Sequence, residues 1–136
     1  MKRLKVYVDT SVFGGCFDHE LAEWSNALMG DFRDDRCGLV VSDVTAGEVA
    51  AAPEPARELF SELLETACIL PVTAEVLELL GAYEAHNILG PRFRNDMLHI
   101  AVATVAEVDV VVRWNFTHRE TGQDQALQRR QSGAWV

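Results

Sequence analysis

Three acidic residues and one amide stand where strand and helix signals meet: Asp9, Glu48, Asp96 and Asn115. Carboxylates gathered on one rim are what hard, oxygen-seeking cations such as Mg²⁺ and Mn²⁺ require. Ions held in this way activate a water and stabilise the leaving oxygen in phosphodiester cleavage. Without a cation, acids held close repel one another, and at least one tends to protonate. Whether these four residues can act together depends on the elements that carry them.

Residues 4–8 (L-K-V-Y-V) are β-branched and aromatic, which predicts a strand ending at Asp9. Gly14 and Gly15 mark a loop. Asp18 is placed to cap a helix running to about residue 34, with Leu21, Trp24, Leu28 and Phe32 on one face. Residues 37–41 form a second apolar run, closed by Ser42 and followed by a short helix to about residue 51, before Pro53 and Pro55. Residues 55–67 carry Leu59, Phe60, Leu63 and Leu64 at helical spacing, and residues 68–72 form a short third strand.

Thr73 caps a predicted helix to about residue 86, with Val76, Leu79, Leu80 and Tyr83 inward. Pro91 suits the first turn of another, running to about residue 105. Residues 109–112 give a fourth strand, and the polar tail from residue 121 reads as one weak helix. Unbroken apolar strands alternating with helices predict an α/β fold in three layers. A central parallel sheet of four to five strands would be covered on both faces. The 136 residues make one domain's worth of chain.

In an open parallel sheet, ligands gather at the carboxyl ends of the strands. Asp9 ends the first strand, and Glu48 lies on the helix just after the second. Asp96 lies early in a helix that leads into the fourth strand, so its first turns belong near the carboxyl edge. Asn115 lies just past that strand. Asp109 starts it and belongs at the opposite edge. Each of the four also has an ordinary structural explanation. Asp9 and Asn115 suit turns, Glu48 suits a capping box with Thr45, and Asp96 suits the positive end of a helix.

Other residues bear on the same rim. His99, one turn beyond Asp96, is placed to hydrogen-bond a carboxylate or to be a satisfied core histidine. Arg92 and Arg94 flank Phe93 at a helix start, where they would meet substrate phosphates or simply be solvated. Arg113 stands just before Trp114 and could serve similarly. Trp24, Phe32 and Phe60 read as core or dimer-interface residues.

The formal net charge of -9 excludes broad electrostatic capture of nucleic acid, though acids that bind divalent metal contribute to such a value. Cys16, Cys37 and Cys68 match no zinc spacing and are expected to be reduced thiols. The basic, strand-like start is too short and polar for a secretory signal, and no apolar run is long enough to span a bilayer. Both favour the cytoplasm.

Four segments together resemble the PIN-domain superfamily, in its VapC-like branch. They are V-Y-V-D-T-S-V-F-G-G (6–15), S-D-V-T-A-G-E-V (42–49), N-D-M-L-H-I-A-V-A (95–103) and V-V-R-W-N-F-T-H (111–118). The resemblance covers roughly residues 4–118. It implies an endoribonuclease needing Mg²⁺ or Mn²⁺, often the toxin of a type II toxin–antitoxin pair, homodimeric and held inactive by a small antitoxin protein. By resemblance, Asp9, Glu48 and Asp96 hold metal, and Thr10 or Ser11 orients Asp9 or a water. Water attacks the phosphodiester in line, leaving a 5′-phosphate and a 3′-hydroxyl. Asn115 stands where the family often has a fourth acid, and the chain's end after His118 departs from the expected helix and strand.

Those departures motivate an alternative, a PIN fold that binds RNA or a partner without cutting. A haloacid-dehalogenase-type phosphatase needs an acid where Ser11 stands. A receiver domain needs a late lysine, and the only lysines are Lys2 and Lys5.

Overall fold

The structure is a computed structural model that describes residues 3–86, 90, 93–114, 130–131 and 134–135. Four strands, β1 (Lys5–Val8), β2 (Gly38–Ser42), β3 (Cys68–Leu70) and β4 (Val110–Val112), form one sheet in the order β3-β2-β1-β4. Every pairing in it is parallel. Among the described residues there are six helices: α1 (Thr10–Gly15), α2 (Ala22–Arg33), α3 (Asp43–Val49), α4 (Glu54–Leu64), α5 (Ala74–Ala85) and α6 (Arg94–Val105). None is long and apolar enough to cross a membrane.

The alternation of side chains along each strand decides the layers. Val6 and Val8 of β1 join Leu39, Val41 and Val112 in a core with Phe13, Met29, Phe32, Leu59 and Phe60, beneath α1, α2 and α4. Tyr7, Val40 and Val111 point the other way, into a core with Val76 and Leu80 of α5 and Met97, Ala101 and Val102 of α6. A sheet buried on both faces explains why its strands are apolar throughout and not alternating with polar residues. The expected three-layer α/β arrangement is what the chain adopts, with four strands in the parallel sheet.

Several elements differ from expectation. The segment read as a loop around Gly14 and Gly15 is helical, as α1. Gly15 is required there for space: a Cβ would lie 2.5 Å from Ser25 Oγ and 2.9 Å from the Trp114 ring. Helix α2 begins at Ala22, because Asp18 spends its carboxylate on the amides of Glu20 and Leu21 in a preceding turn. Trp24 is 65% exposed and is not a core residue, while its neighbour Ser25 is buried. The face of α2 is set by Leu21, Ser25, Met29 and Phe32, one position out of phase with Trp24. Part of the tail is not helix but a short antiparallel ladder, β5 (Arg130–Gln131) with β6 (Ala134–Trp135).

The strand order places a topological switch beside β1. The chain moves from β1 to β2 and β3 on one side, then returns to set β4 on the other. At such a point the connections leave in opposite directions and open a crevice outside the carboxyl ends of the strands. Asp9 follows β1 and Arg113 follows β4, so they flank that crevice. The amide of Asp9 donates to Val112 O at 3.1 Å, which locks the two strand ends together.

Candidate active site

Asp9 is the N-cap of α1, yet its side chain makes no cap hydrogen bond. Its carboxylate is therefore left for the crevice, where the side chain is only 11% exposed. Ser11 Oγ donates to Asp9 Oδ2 at 3.2 Å and accepts from the Trp114 amide at 3.0 Å. His99 Nε2 lies 3.2 Å from Asp9 Oδ1. Burial raises the Asp9 carboxyl above its ordinary value; His99 and Arg113 oppose that rise, and Glu48 and Asp96 add to it.

Glu48 reaches the same place from α3. A capping box starts this helix, but its members are Ser42 and Thr45, so Glu48 has no part in it. Instead Glu48 Oε1 accepts from Thr10 Oγ1 at 2.6 Å and lies 2.7 Å from His99 Nε2, while Oε2 accepts from Asn95 Nδ2 at 3.2 Å. Burial alone would raise the Glu48 carboxyl. The hydrogen bonds from His99, Thr10 and Asn95 outweigh it and hold the group below the usual glutamate value.

His99 stands between the two carboxylates, buried in α6. Its other nitrogen, Nδ1, is 2.6 Å from Tyr7 Oη, which is 2.7 Å from Ser42 Oγ. The direction of this chain follows from the capping box. Ser42 Oγ accepts from the amides of Val44 at 3.2 Å and Thr45 at 3.4 Å, so both lone pairs are engaged. Its hydrogen then goes to its nearest acceptor, Tyr7 Oη. Tyr7 in turn donates to His99 Nδ1, and a neutral His99 carries its hydrogen on Nε2. Nε2–H thus donates to Glu48 and Asp9. Burial pushes the Tyr7 hydroxyl up to about 12, which keeps it a donor.

Asp96 and Arg113 form the other half of the site. Arg113 Nη2 is 3.1 Å from Asp96 Oδ2, and Arg113 Nε is 3.8 Å from Asp9 Oδ2. Asp9, Asp96, His99 and Arg113, with Ile100 and Val111, line a small pocket.

The crevice thus brings together Asp9, Glu48, Asp96, His99, Thr10, Ser11 and Arg113. Thr10 serves Glu48 and not Asp9, because it is the first residue of α1 and faces α3. Arg94 is turned away, paired with Glu84 of α5 at 3.4 Å. Asn115, Arg92 and His118 lie outside the described residues. Asp109 sits at the opposite edge of the sheet, accepting from the Lys5 amide at 2.8 Å. Tyr7, Ser42 and Asn95 belong to the site as well. Their signals in the sequence were modest: a tyrosine within a buried strand must find a partner for its hydroxyl, and Ser42 opens S-x-x-T at a helix start.

The donor set suits a hard cation. Ligand atoms of Asp9, Glu48 and His99 all lie within 4.8 Å of one another, with Asp96 beside them. Since His99 Nε2 is a hydrogen-bond donor here, the atoms that fit a cation are carboxylate oxygens, the kind Mg²⁺ and Mn²⁺ prefer.

No protein-family profile matches the chain, and no curated protein matches it significantly in sequence. Solved structures do match in shape. VapBC2 from Rickettsia felis, solved bound to a DNA fragment from its promoter, is similar with a TM-score of 0.60 at 13% identity, over 87% of this chain and 92% of that one. VapC20 of Mycobacterium tuberculosis, a toxin that cleaves the sarcin–ricin loop, gives 0.60 at 15% identity, over 86% and 95%. Likeness at these identities is likeness of fold, and it runs through nearly the whole of each chain. The chain has a VapC-like PIN-domain fold.

Proposed function

We propose that this chain is a divalent-metal-dependent endoribonuclease that hydrolyses RNA phosphodiesters, acting as the toxin of a type II toxin–antitoxin pair. One observation carries the reading: Asp9, Glu48 and Asp96, far apart in sequence, converge on the crevice at the β1–β4 switch point. The fold supports it, since VapC20, one of the structures that the chain resembles, is a toxin that cleaves the sarcin–ricin loop.

Asp9 and Glu48 would hold Mg²⁺ or Mn²⁺, with Asp96 beside them. The bound ion would lower the pKa of a water and neutralise charge on the phosphate. The chain's own residues prepare the site for this. Thr10, Asn95 and His99 fix the rotamer of Glu48 and keep it ionised. Ser11 fixes Asp9 and ties it to the strand end through Trp114. The fold's partners in this reading are an RNA substrate, a second copy of the chain and a small antitoxin, all in the cytoplasm. Phe17 and Trp24, 56% and 65% exposed, offer apolar area for a protein partner.

The ion pair between Arg113 and Asp96 favours a second reading, a PIN fold that binds RNA without cutting it. One assay separates the two. Single-stranded RNA incubated with the purified chain should be cleaved to 5′-phosphate products in Mn²⁺ and left intact in EDTA. Protection in both conditions, with RNA retained on the protein, would favour binding alone.

A further inference from the structure

Arg113 is an unusual guest among carboxylates expected to hold metal. Its guanidinium reaches Asp96 at 3.1 Å and faces Asp9 at 3.8 Å, with the side chain only 20% exposed. Its Nε is buried and, among the described residues, makes no hydrogen bond, with Asp9 Oδ2 as its charged neighbour. A buried N–H left unpaired is costly. Among the described residues, two carboxylates, Asp96 and Asp9, stand around the guanidinium where hydrogen bonds do not complete its set.

The backbone leaves Arg113 little freedom to go elsewhere. Val112 O accepts the Asp9 amide at 3.1 Å on one side. On the other side, the Trp114 amide donates to Ser11 Oγ at 3.0 Å, and its indole Nε1 donates to Ser25 Oγ at 2.8 Å in the core. The absence of a side chain at Gly15 makes room for that indole. Arg113 is therefore presented to the carboxylates by residues pinned before and after it.

We propose that Arg113 is a resident cation of this site, which restricts it to one divalent ion, held by Asp9 and Glu48, and keeps Asp96 from ligating a second. The proposal rests on the nuclease reading above. Formal charge supports it. Asp9, Glu48 and Asp96 together carry three negative charges, and the guanidinium cancels one, leaving what one divalent ion neutralises. A second such ion would leave the cluster positive. Side-chain geometry agrees. Asp9 Oδ2 faces Ser11 and Arg113, whereas Oδ1 shares His99 with Glu48. The two halves of the site are thus already divided, one occupied by the Arg113 guanidinium and one bounded by the His99 Nε2 donor.

Calorimetric titration with Mn²⁺, without RNA, tests this on the wild-type chain, Arg113→Gln and Arg113→Lys. Circular dichroism establishes that each variant is folded. The wild type is expected to bind one ion per chain. Arg113→Gln is expected to bind a second ion, or the first at least tenfold more tightly. Arg113→Lys, which keeps the charge, should retain one ion with an affinity within about threefold of the wild type. Two ions on the wild type would overturn the proposal, as would an Arg113→Gln variant with unchanged stoichiometry and affinity. If the Gln variant does not fold, the wild-type stoichiometry and the Lys variant decide it, and a Lys variant that binds two ions counts against it. No binding by wild type and Gln variant alike would remove the nuclease reading itself, a result distinct from failure of this inference alone.

Discussion

The two edges of the sheet use the same residue types for different ends. At the carboxyl edge, Asp9 is buried, carries no capping duty, and shares its surroundings with Glu48, Asp96, His99 and Arg113. At the amino edge, Asp109 accepts one backbone amide, that of Lys5, and is part of how β4 begins beside β1. Nearby, Asp35 and Glu107 hold left-handed backbone conformations (φ 63° and 55°) in the turns that close α2 and α6. Each is followed by a residue whose amide returns to the helix, Arg36 to Asp31 and Val108 to Ala103. The amino edge is chain-turning chemistry, exposed and locally satisfied. The carboxyl edge gathers carboxylates around a buried Asp9 whose ionised form burial disfavours, an arrangement that is common at ligand sites.

The pair Asp9→Asn and Asp109→Asn gives the sharpest contrast. Asp9→Asn should lower Mn²⁺-dependent RNA cleavage by at least roughly a hundredfold, while Asp109→Asn should stay within about twofold of wild type. Because burial raises the Asp9 carboxyl, its ionised form weakens the fold near neutral pH. Asp9→Asn should therefore be at least as stable as wild type in urea at pH 7 without metal. Equal cleavage by the two variants would erase the distinction between the edges.

Tyr7→Phe comes next. It removes the donor to His99 Nδ1 and so frees the ring that orients Glu48 and Asp9. Loss of such an orienting group typically costs about 10–100-fold, and a drop near the lower end is expected in kcat with little change in KM. The same variant has a pH signature. Burial raises the Tyr7 hydroxyl to about 12 from 10.0, so the unfolded chain ionises first on the way up. The stability linked to Tyr7 is complete below pH 10 and is lost as pH rises through about 12, by up to ~3 kcal/mol. Urea unfolding between pH 9 and 11 should fall less steeply for Tyr7→Phe than for wild type.

Two smaller effects distinguish the edges by stability. Gly15→Ala, at the carboxyl edge, drives a methyl into Ser25 and Trp114 and should destabilise by about 1–3 kcal/mol in urea. Glu107→Gly, at the amino edge, relieves a left-handed non-glycine residue and should stabilise by roughly 0.5–1 kcal/mol, with cleavage unchanged. A stabilised Gly15→Ala, or an inactive Glu107→Gly, would contradict this division of roles between the two edges.

Much of the fold was legible from apolar runs and turn residues, because a sheet buried on both faces imposes unbroken hydrophobic strands. Element order and the parallel arrangement follow from that pattern. The helix α1 was not legible. Its two glycines look like a loop, whereas Gly15 is there to admit Trp114, a contact between residues far apart in sequence. Of the two roles read for Trp24, core and dimer interface, exposure excludes the core, because the buried face of the helix runs through Ser25. At the candidate site, edge polarity alone was enough to gather Asp9, Glu48 and Asp96 and to set Asp109 apart. The Ser42–Tyr7–His99 chain was not foreseeable, since it joins β2, β1 and α6 through side chains whose alignment depends on sheet register. Arg113 was read as a cation facing substrate. Its pairing with Asp96 depends on how closely α6 and the end of β4 approach each other.

In the proposed function, the charge around Asp9 at the carboxyl edge holds a divalent cation. The most direct test is Mn²⁺ binding by calorimetry at neutral pH, comparing wild type with Asp9→Asn. Binding by the wild type that disappears in the variant is the predicted result. A wild-type chain that binds no Mn²⁺ at millimolar concentration, or a variant that binds as well as wild type, would contradict it.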